Sequence, residues 1–195
     1  MRYILASKSP RRREILENIG LKFDIVTADT DESCDEQDPA KLCEILAIRK
    51  GEAVYNKLLE NGQNCSDTLI ISSDTVVAVN GEILGKPKDK DDARRMISLL
   101  SGRTHSVLSG VSIIRNGACH VSHSETFVTF EDIKEDELEA YISGNDPYDK
   151  AGGYGIQGHA GLWVTGISGC YFGVVGLPVN ILNNLHRECT GRSLI

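Results

Sequence analysis

Residues Thr68 to Val79 read Thr-Leu-Ile-Ile-Ser-Ser-Asp-Thr-Val-Val-Ala-Val, and no other stretch restricts the fold so tightly. The run is apolar and β-branched, the composition of a buried strand, yet Ser72, Ser73, Asp74 and Thr75 interrupt its middle. A carboxylate buried bare is very costly, so Asp74 must be paired, coordinated or hydrogen-bonded at a strand bend. That makes it the first candidate for chemistry. Asn80-Gly81 follows at once, the preferred pair for a two-residue type I′ hairpin turn. Counting back across the turn pairs Val79 with Glu82 and sets Thr75 opposite Lys86. Lys86 thus falls within one residue of Asp74, but strict alternation puts the two on opposite faces. Direct contact needs a bulge, or a break at Gly85 or Pro87.

The chain's beginning carries the second constraint. An apolar strand, Arg2 to Ala6, runs into Ser7-Lys-Ser-Pro10, and a helix is expected to start there. Ser9 suits the N-cap and Pro10 the first helical position. Ile15, Leu16 and Ile19 supply the buried stripe, and Gly20 ends the helix. Arg11, Arg12 and Arg13 therefore crowd the N-terminal turn, where the helix dipole is already positive. An anion held by Ser7, free amides and the arginines would resolve the conflict; a solvated basic turn is the plain alternative.

Elsewhere the pattern alternates. Phe23 to Ala28 reads as a strand, Asp29 to Pro39 as an acidic loop containing Asp31 and Glu32, and Ala40 to Glu60 as a helix. Lys50 lies at the edge of that helix's apolar stripe, where it either snorkels or points into a cleft. Asp89 to Leu100 is helical, Thr104 to Phe130 forms a long hairpin about Asn116-Gly117, and Lys134 to Ser143 is a short helix. His120 and His123 project to opposite faces of their strand and make no metal pair. Residues 144–161 are glycine-rich, a composition that lets backbone approach a ligand or simply connects. Leu162 to Ile167 and Cys170 to Val175 read as strands, and Pro178 opens the closing helix. The sum is one α/β domain, residues 1–195, with a mixed sheet flanked by helices.

Charge narrows the function. The formal net charge of −7 argues against a protein that coats nucleic acid, so the local arginine cluster suits a small polyanion better. No apolar run approaches bilayer length, the first residues lack a signal-peptide pattern, and six scattered cysteines include no C-x-x-C pair. A cytoplasmic chain with reduced thiols and no membrane partner is expected. Neither a P-loop nor a dinucleotide fingerprint is present. What remains is Ser7 with the arginines, Asp31-Glu32, Lys50, Asp74 and Lys86. Cations flanking a few carboxylates describe a phosphoanhydride site.

Six motifs in order then resemble the Maf-like nucleotide pyrophosphatases: Ser7-Lys-Ser-Pro-Arg-Arg-Arg13, Ser73-Asp-Thr-Val-Val77, Gly81-Glu-Ile-Leu-Gly-Lys-Pro87, Leu100-Ser-Gly-Arg-Thr-His105, Asp149-Lys-Ala-Gly152 with Tyr154-Gly-Ile-Gln-Gly158, and Val174-Val-Gly-Leu-Pro178. The resemblance implies an elongated mixed sheet with two lobes around a deep cleft. It also implies a cytoplasmic hydrolase, dependent on Mg²⁺ or Mn²⁺, that releases pyrophosphate from a nucleoside triphosphate. By motif, Asp74 is the acidic catalytic residue, the proton acceptor for water, and Glu32 assists at the metal or water. Ser7, Arg12, Arg13, Lys50 and Lys86 bind phosphates, Lys86 close to the chemistry. Arg11, Thr75 and Gln157 match the branch acting on dTTP and UTP. The carboxamide of Gln157 offers a donor and an acceptor to the uracil or thymine edge. Trp163-Val-Thr-Gly-Ile167 lacks an acidic residue often found there. A homodimer is what family habit implies. The same chemistry on 7-methyl-GTP, a nucleotide-binding regulator of cell division and a nucleic-acid module are the alternatives.

Overall fold

The computed structural model describes residues 1–195. Seven strands form one mixed sheet in the order β2-β1-β3-β5-β6-β7, with β4 beside β3. They are β1 (Arg2–Leu5), β2 (Asp24–Ile25), β3 (Thr68–Val79), β4 (Glu82–Leu84), β5 (Thr104–Arg115), β6 (Ala118–Phe130) and β7 (Val164–Ser168). Six α-helices flank it: α1 (Pro10–Asn18), α2 (Pro39–Glu60), α3 (Lys90–Leu100), α4 (Glu135–Ile142), α5 (Tyr171–Val175) and α6 (Val179–Thr190). This is the expected mixed α/β architecture.

The long strand β3 organises everything. Along one side it pairs antiparallel with β5 from Leu69 to Ala78. Along the other, β1 pairs in parallel with Thr68 to Ile71, and β4 pairs antiparallel with Val77 to Val79. Between those two partners, on that side only, Ser72 to Val76 have no strand beside them. The interrupted middle of the sequence run is thus a gap in the sheet.

Side-chain alternation then assigns the two faces. Ile70, Ser72, Asp74 and Val76 face α2, whose Val54, Leu58 and Cys43 pack against that side. Leu69 and Ile71 face the opposite way, into a core with α1, α5 and α6 around Leu16, Val175 and Leu182. Val77 and Val79 share that face but enter a second core, where Met96, Ile97, Phe130, Tyr141 and Trp163 pack together. Those two cores make two lobes on one face, and Ser73 and Thr75 lie where they part.

The turn at Asn80-Gly81 has both φ values positive, 52° and 80°, as a type I′ turn requires. Val79 pairs with Glu82 as counted, but β4 stops at Leu84. The Gly85 carbonyl accepts instead from the Gly152 amide at 2.9 Å, which turns the chain out of register before Lys86. Two expectations need correction. Only Asp24–Ile25 of residues 23–28 pairs with β1, since the chain leaves the sheet edge after Val26. Residues 170–175 form no strand: Tyr171–Val175 is the short helix α5, closed by Gly176 at φ 122°. A brief apolar run with glycines at its third residue and just past its end has no periodicity to separate the two.

Candidate active site

The gap beside β3 opens into a cleft of about 800 Å³ between the lobes. Its floor is Asp74, only 9% exposed. Lys50, on α2, comes down over the same face and forms an ion pair with Asp74 through its Nζ. The same Nζ lies 2.8 Å from Glu32 Oε1, so one ammonium joins two carboxylates from separate elements. This settles the position of Lys50: it points into the cleft. The hydrogen bond from Lys50 holds Glu32 below the usual carboxylate range. Behind it act the charges of Lys50, Lys86 and Arg12, against the opposing effect of partial burial. Lys86 is exposed and lines the cleft after β4 has ended; its charge is felt at Glu32, while the ion pair to Asp74 comes from Lys50.

The other face of β3 carries the arginine. Ser9 caps α1, accepting from the Arg12 amide, with Pro10 at the first position as expected. Arg12 reaches across the lobe: Nε donates to the Gly176 carbonyl at 2.8 Å, Nη1 to Ser7 Oγ at 3.3 Å and Nη2 to Thr75 Oγ1 at 3.2 Å. Burial lowers its pKa, and Asp74 is the largest charge acting the other way. An arginine stays protonated at neutral pH all the same. Ser73, on the same face, donates to the same Gly176 carbonyl at 2.8 Å. Phosphate oxygens entering here would meet a preformed guanidinium.

Three consecutive helical residues are about 100° apart, so they cannot all face one cleft. Arg12 does. Arg11 lines the cleft and lies 3.6 Å from Asp149 on the far lip. Arg13 is exposed on the outer face, bound to Glu17 at 2.7 Å one turn along, and is not brought into the site. Gln157 is also exposed, and at this position the cleft is lined by its neighbours Gly155 and Ile156. Ser7, Thr75, Glu32 and Lys86 all line the cleft.

The donor set suits a hard divalent cation. Mg²⁺ is commonly held by one or two carboxylates together with substrate phosphates rather than by an all-protein cage. Asp74 and Glu32, already converging on one cation at Lys50, would supply those oxygens. No cluster of three acidic, histidine or cysteine ligands occurs. His120 and His123 face different helices, His123 lying 2.7 Å from Glu44 of α2 and His120 4.0 Å from Glu188 of α6.

Sequence reasoning missed several contributors. Ser109 on β5 touches Thr75 at 2.8 Å, and the Gly173 and Gly176 carbonyls accept from the site's hydroxyls. Asp149 meets Arg11. For Ser109 the signal was the one that marked Asp74, a polar residue within an apolar strand run.

A mixed sheet interrupted beside a buried carboxylate, with cations on both faces of the break, defines an α/β protein able to hold a small polyanion next to a carboxylate. The chain belongs to the Maf-like protein family, whose model matches residues 2–189. It is 46% identical over 191 residues to the dTTP/UTP pyrophosphatase of Alkaliphilus metalliredigens, 96% of each chain being covered. It is 46% identical over 188 residues to that of Agathobacter rectalis, covering 90% of this chain and 91% of the relative. With that of Symbiobacterium thermophilum it shares 42% over 178 residues, 91% and 88% of the two chains.

Proposed function

We propose that the chain is a nucleoside triphosphate pyrophosphatase, hydrolysing dTTP and UTP to the monophosphate and pyrophosphate. One observation carries the reading: Asp74 lies buried at a break in the sheet, with Lys50 and Glu32 on one face and Arg12 on the other. The relatives named for that activity match nearly the whole chain.

Arg12, Lys50 and Lys86 gather the triphosphate, and Ser7 assists Arg12. Incoming phosphate draws Lys50 away from Asp74, which frees the carboxylate to orient a water and take its proton as the water attacks in line. Pyrophosphate leaves with its charge neutralised by the same cations. Asp74 and Glu32 would hold a divalent metal, Mg²⁺ or Mn²⁺, which when bound supplies charge neutralisation at the phosphates. Arg11 and Gln157, at the rim beside Ile156, select the base. The enzyme works in the cytoplasm as a homodimer, without nucleic acid; a monomer mass by light scattering would remove the dimer.

The test is a panel of nucleoside triphosphates with Mg²⁺, scored for pyrophosphate and for orthophosphate. dTTP and UTP should turn over fastest and yield pyrophosphate. Preference for 7-methyl-GTP would move the substrate, orthophosphate release would move the bond cleaved, and no turnover with tight binding would leave a regulator.

A further inference from the structure

We propose that Ser109 is a positioning residue for triphosphate binding, aiming Arg12 through Thr75 along a hydrogen-bond chain whose direction is fixed at both ends. The proposal rests on the pyrophosphatase reading. Ser109 stands on β5 directly opposite Thr75 and is fully buried, so its hydroxyl never meets the ligand. Each hydroxyl has one proton to give. The Gly173 carbonyl can only accept, and Ser109 Oγ lies 2.7 Å from it, so the Ser109 proton goes there. Thr75 Oγ1, 2.8 Å from Ser109, must then donate its own proton to Ser109. At the other end the guanidinium can only donate, and Arg12 Nη2 lies 3.2 Å from Thr75 Oγ1. Every link runs one way: Arg12 to Thr75, Thr75 to Ser109, Ser109 to the last turn of α5.

Two consequences follow. The Thr75 hydroxyl has no proton left for a nucleotide, so its influence on substrate choice passes through Arg12. And a lone pair of Thr75 is held toward Arg12 only while Ser109 accepts the Thr75 proton. Without Ser109 the Thr75 hydroxyl is free to turn, and the guanidinium loses the partner that fixes its Nη2 end. Arg12 is then held through Gly176 and Ser7 alone.

The test is a double-mutant cycle on affinity for α,β-imido-dTTP, a non-hydrolysable analogue, measured by calorimetry with Mg²⁺, beside KM and kcat for dTTP. Ser109→Ala should weaken binding and raise KM about 5- to 10-fold, the size of one hydrogen bond, with kcat changed less. Ser109→Thr, which keeps the hydroxyl, should restore both. Thr75→Val should weaken binding similarly, and adding Ser109→Ala to it should weaken binding no further. Additive losses, or unchanged affinity with only a lower melting temperature, would overturn the proposal. Should Ser109→Ala fail to fold, Ser109→Cys replaces it, and unaltered affinity there overturns the proposal equally. If the unaltered protein binds the analogue but releases no pyrophosphate from any triphosphate, the pyrophosphatase reading falls while the affinity cycle still decides the role of Ser109.

Discussion

Asp74 shows what burial does to a single carboxylate. Its nearest charge is Lys50, and Glu32 shares that ammonium at 2.8 Å. Asp74→Asn keeps the shape and one hydrogen-bonding oxygen but cannot accept a proton from water. It should lower kcat about 10³-fold with the fold intact, checked by initial rates of pyrophosphate release and by an unchanged circular dichroism spectrum. The arginines make a sharper contrast. Arg12→Ala removes three hydrogen bonds at the cleft and should raise KM at least 10-fold. Arg13→Ala removes an exposed pair with Glu17 and should leave KM within about twofold, since surface pairs contribute little. Equal losses from the two would show that Arg13 turns inward when the nucleotide binds. At this scale the sequence was legible wherever a polar residue broke an apolar pattern, as at Asp74. It was not legible for Arg11 to Arg13, because a run of like residues on a helix does not declare which one faces the cleft. Nor could it reveal that Lys50, rather than Lys86, pairs with Asp74, a contact between two elements whose relative height only packing sets.

Among elements, α2 and β5 lie in close backbone contact at Gly110. A Cβ built there would stand 2.4 Å from the Cys43 carbonyl oxygen and 2.8 Å from the Glu44 amide nitrogen, both backbone atoms of α2. Nothing at that contact can rotate aside, so Gly110→Ala must lift the helix off the sheet. Two turns further along α2 is Lys50. The variant should lose about 1–3 kcal/mol in urea unfolding and also lower turnover, because Lys50 and Asp74 are carried by the elements forced apart. A loss of stability with full activity would mean that the cleft absorbs the shift. Hairpins were the elements best read from sequence: both Asn-Gly turns and the Val79–Glu82 register stand as counted. The short helix α5 was read as a strand; its Gly173 carbonyl receives Ser109, and the carbonyl of Gly176, which closes it, receives Arg12 and Ser73. Five residues are too few to show a helical period, so its role depends on contacts that lie far away in the chain.

For the whole molecule, the histidine buried in the second lobe couples folding to pH. His105 is 2% exposed, packs edge-on against Phe130 and Tyr154, and lies with Nε2 2.6 Å from the Tyr154 hydroxyl. Its Nδ1 has no partner. Burial with no charge nearby lowers its pKa from 6.5 to about 4. The unfolded chain therefore takes up a proton below about pH 6.5 that the folded chain refuses until about pH 4. Between those values the unfolded state binds more protons, so falling pH favours unfolding. This contribution is complete above about pH 6.5 and has been lost by about pH 4, a total of about 3 kcal/mol. Between pH 7 and pH 5 the loss should be about 2 kcal/mol, a window above the range where the carboxylates titrate. His105→Phe has no group to protonate and can stack on the same rings, although Tyr154 then loses its partner. Its stability should therefore start lower, but it should decline less between pH 7 and pH 5. Urea midpoints of the two proteins at both pH values give that difference directly; parallel declines would place the proton uptake on another histidine. Tyr154 lines the cleft while Phe130 anchors the second core.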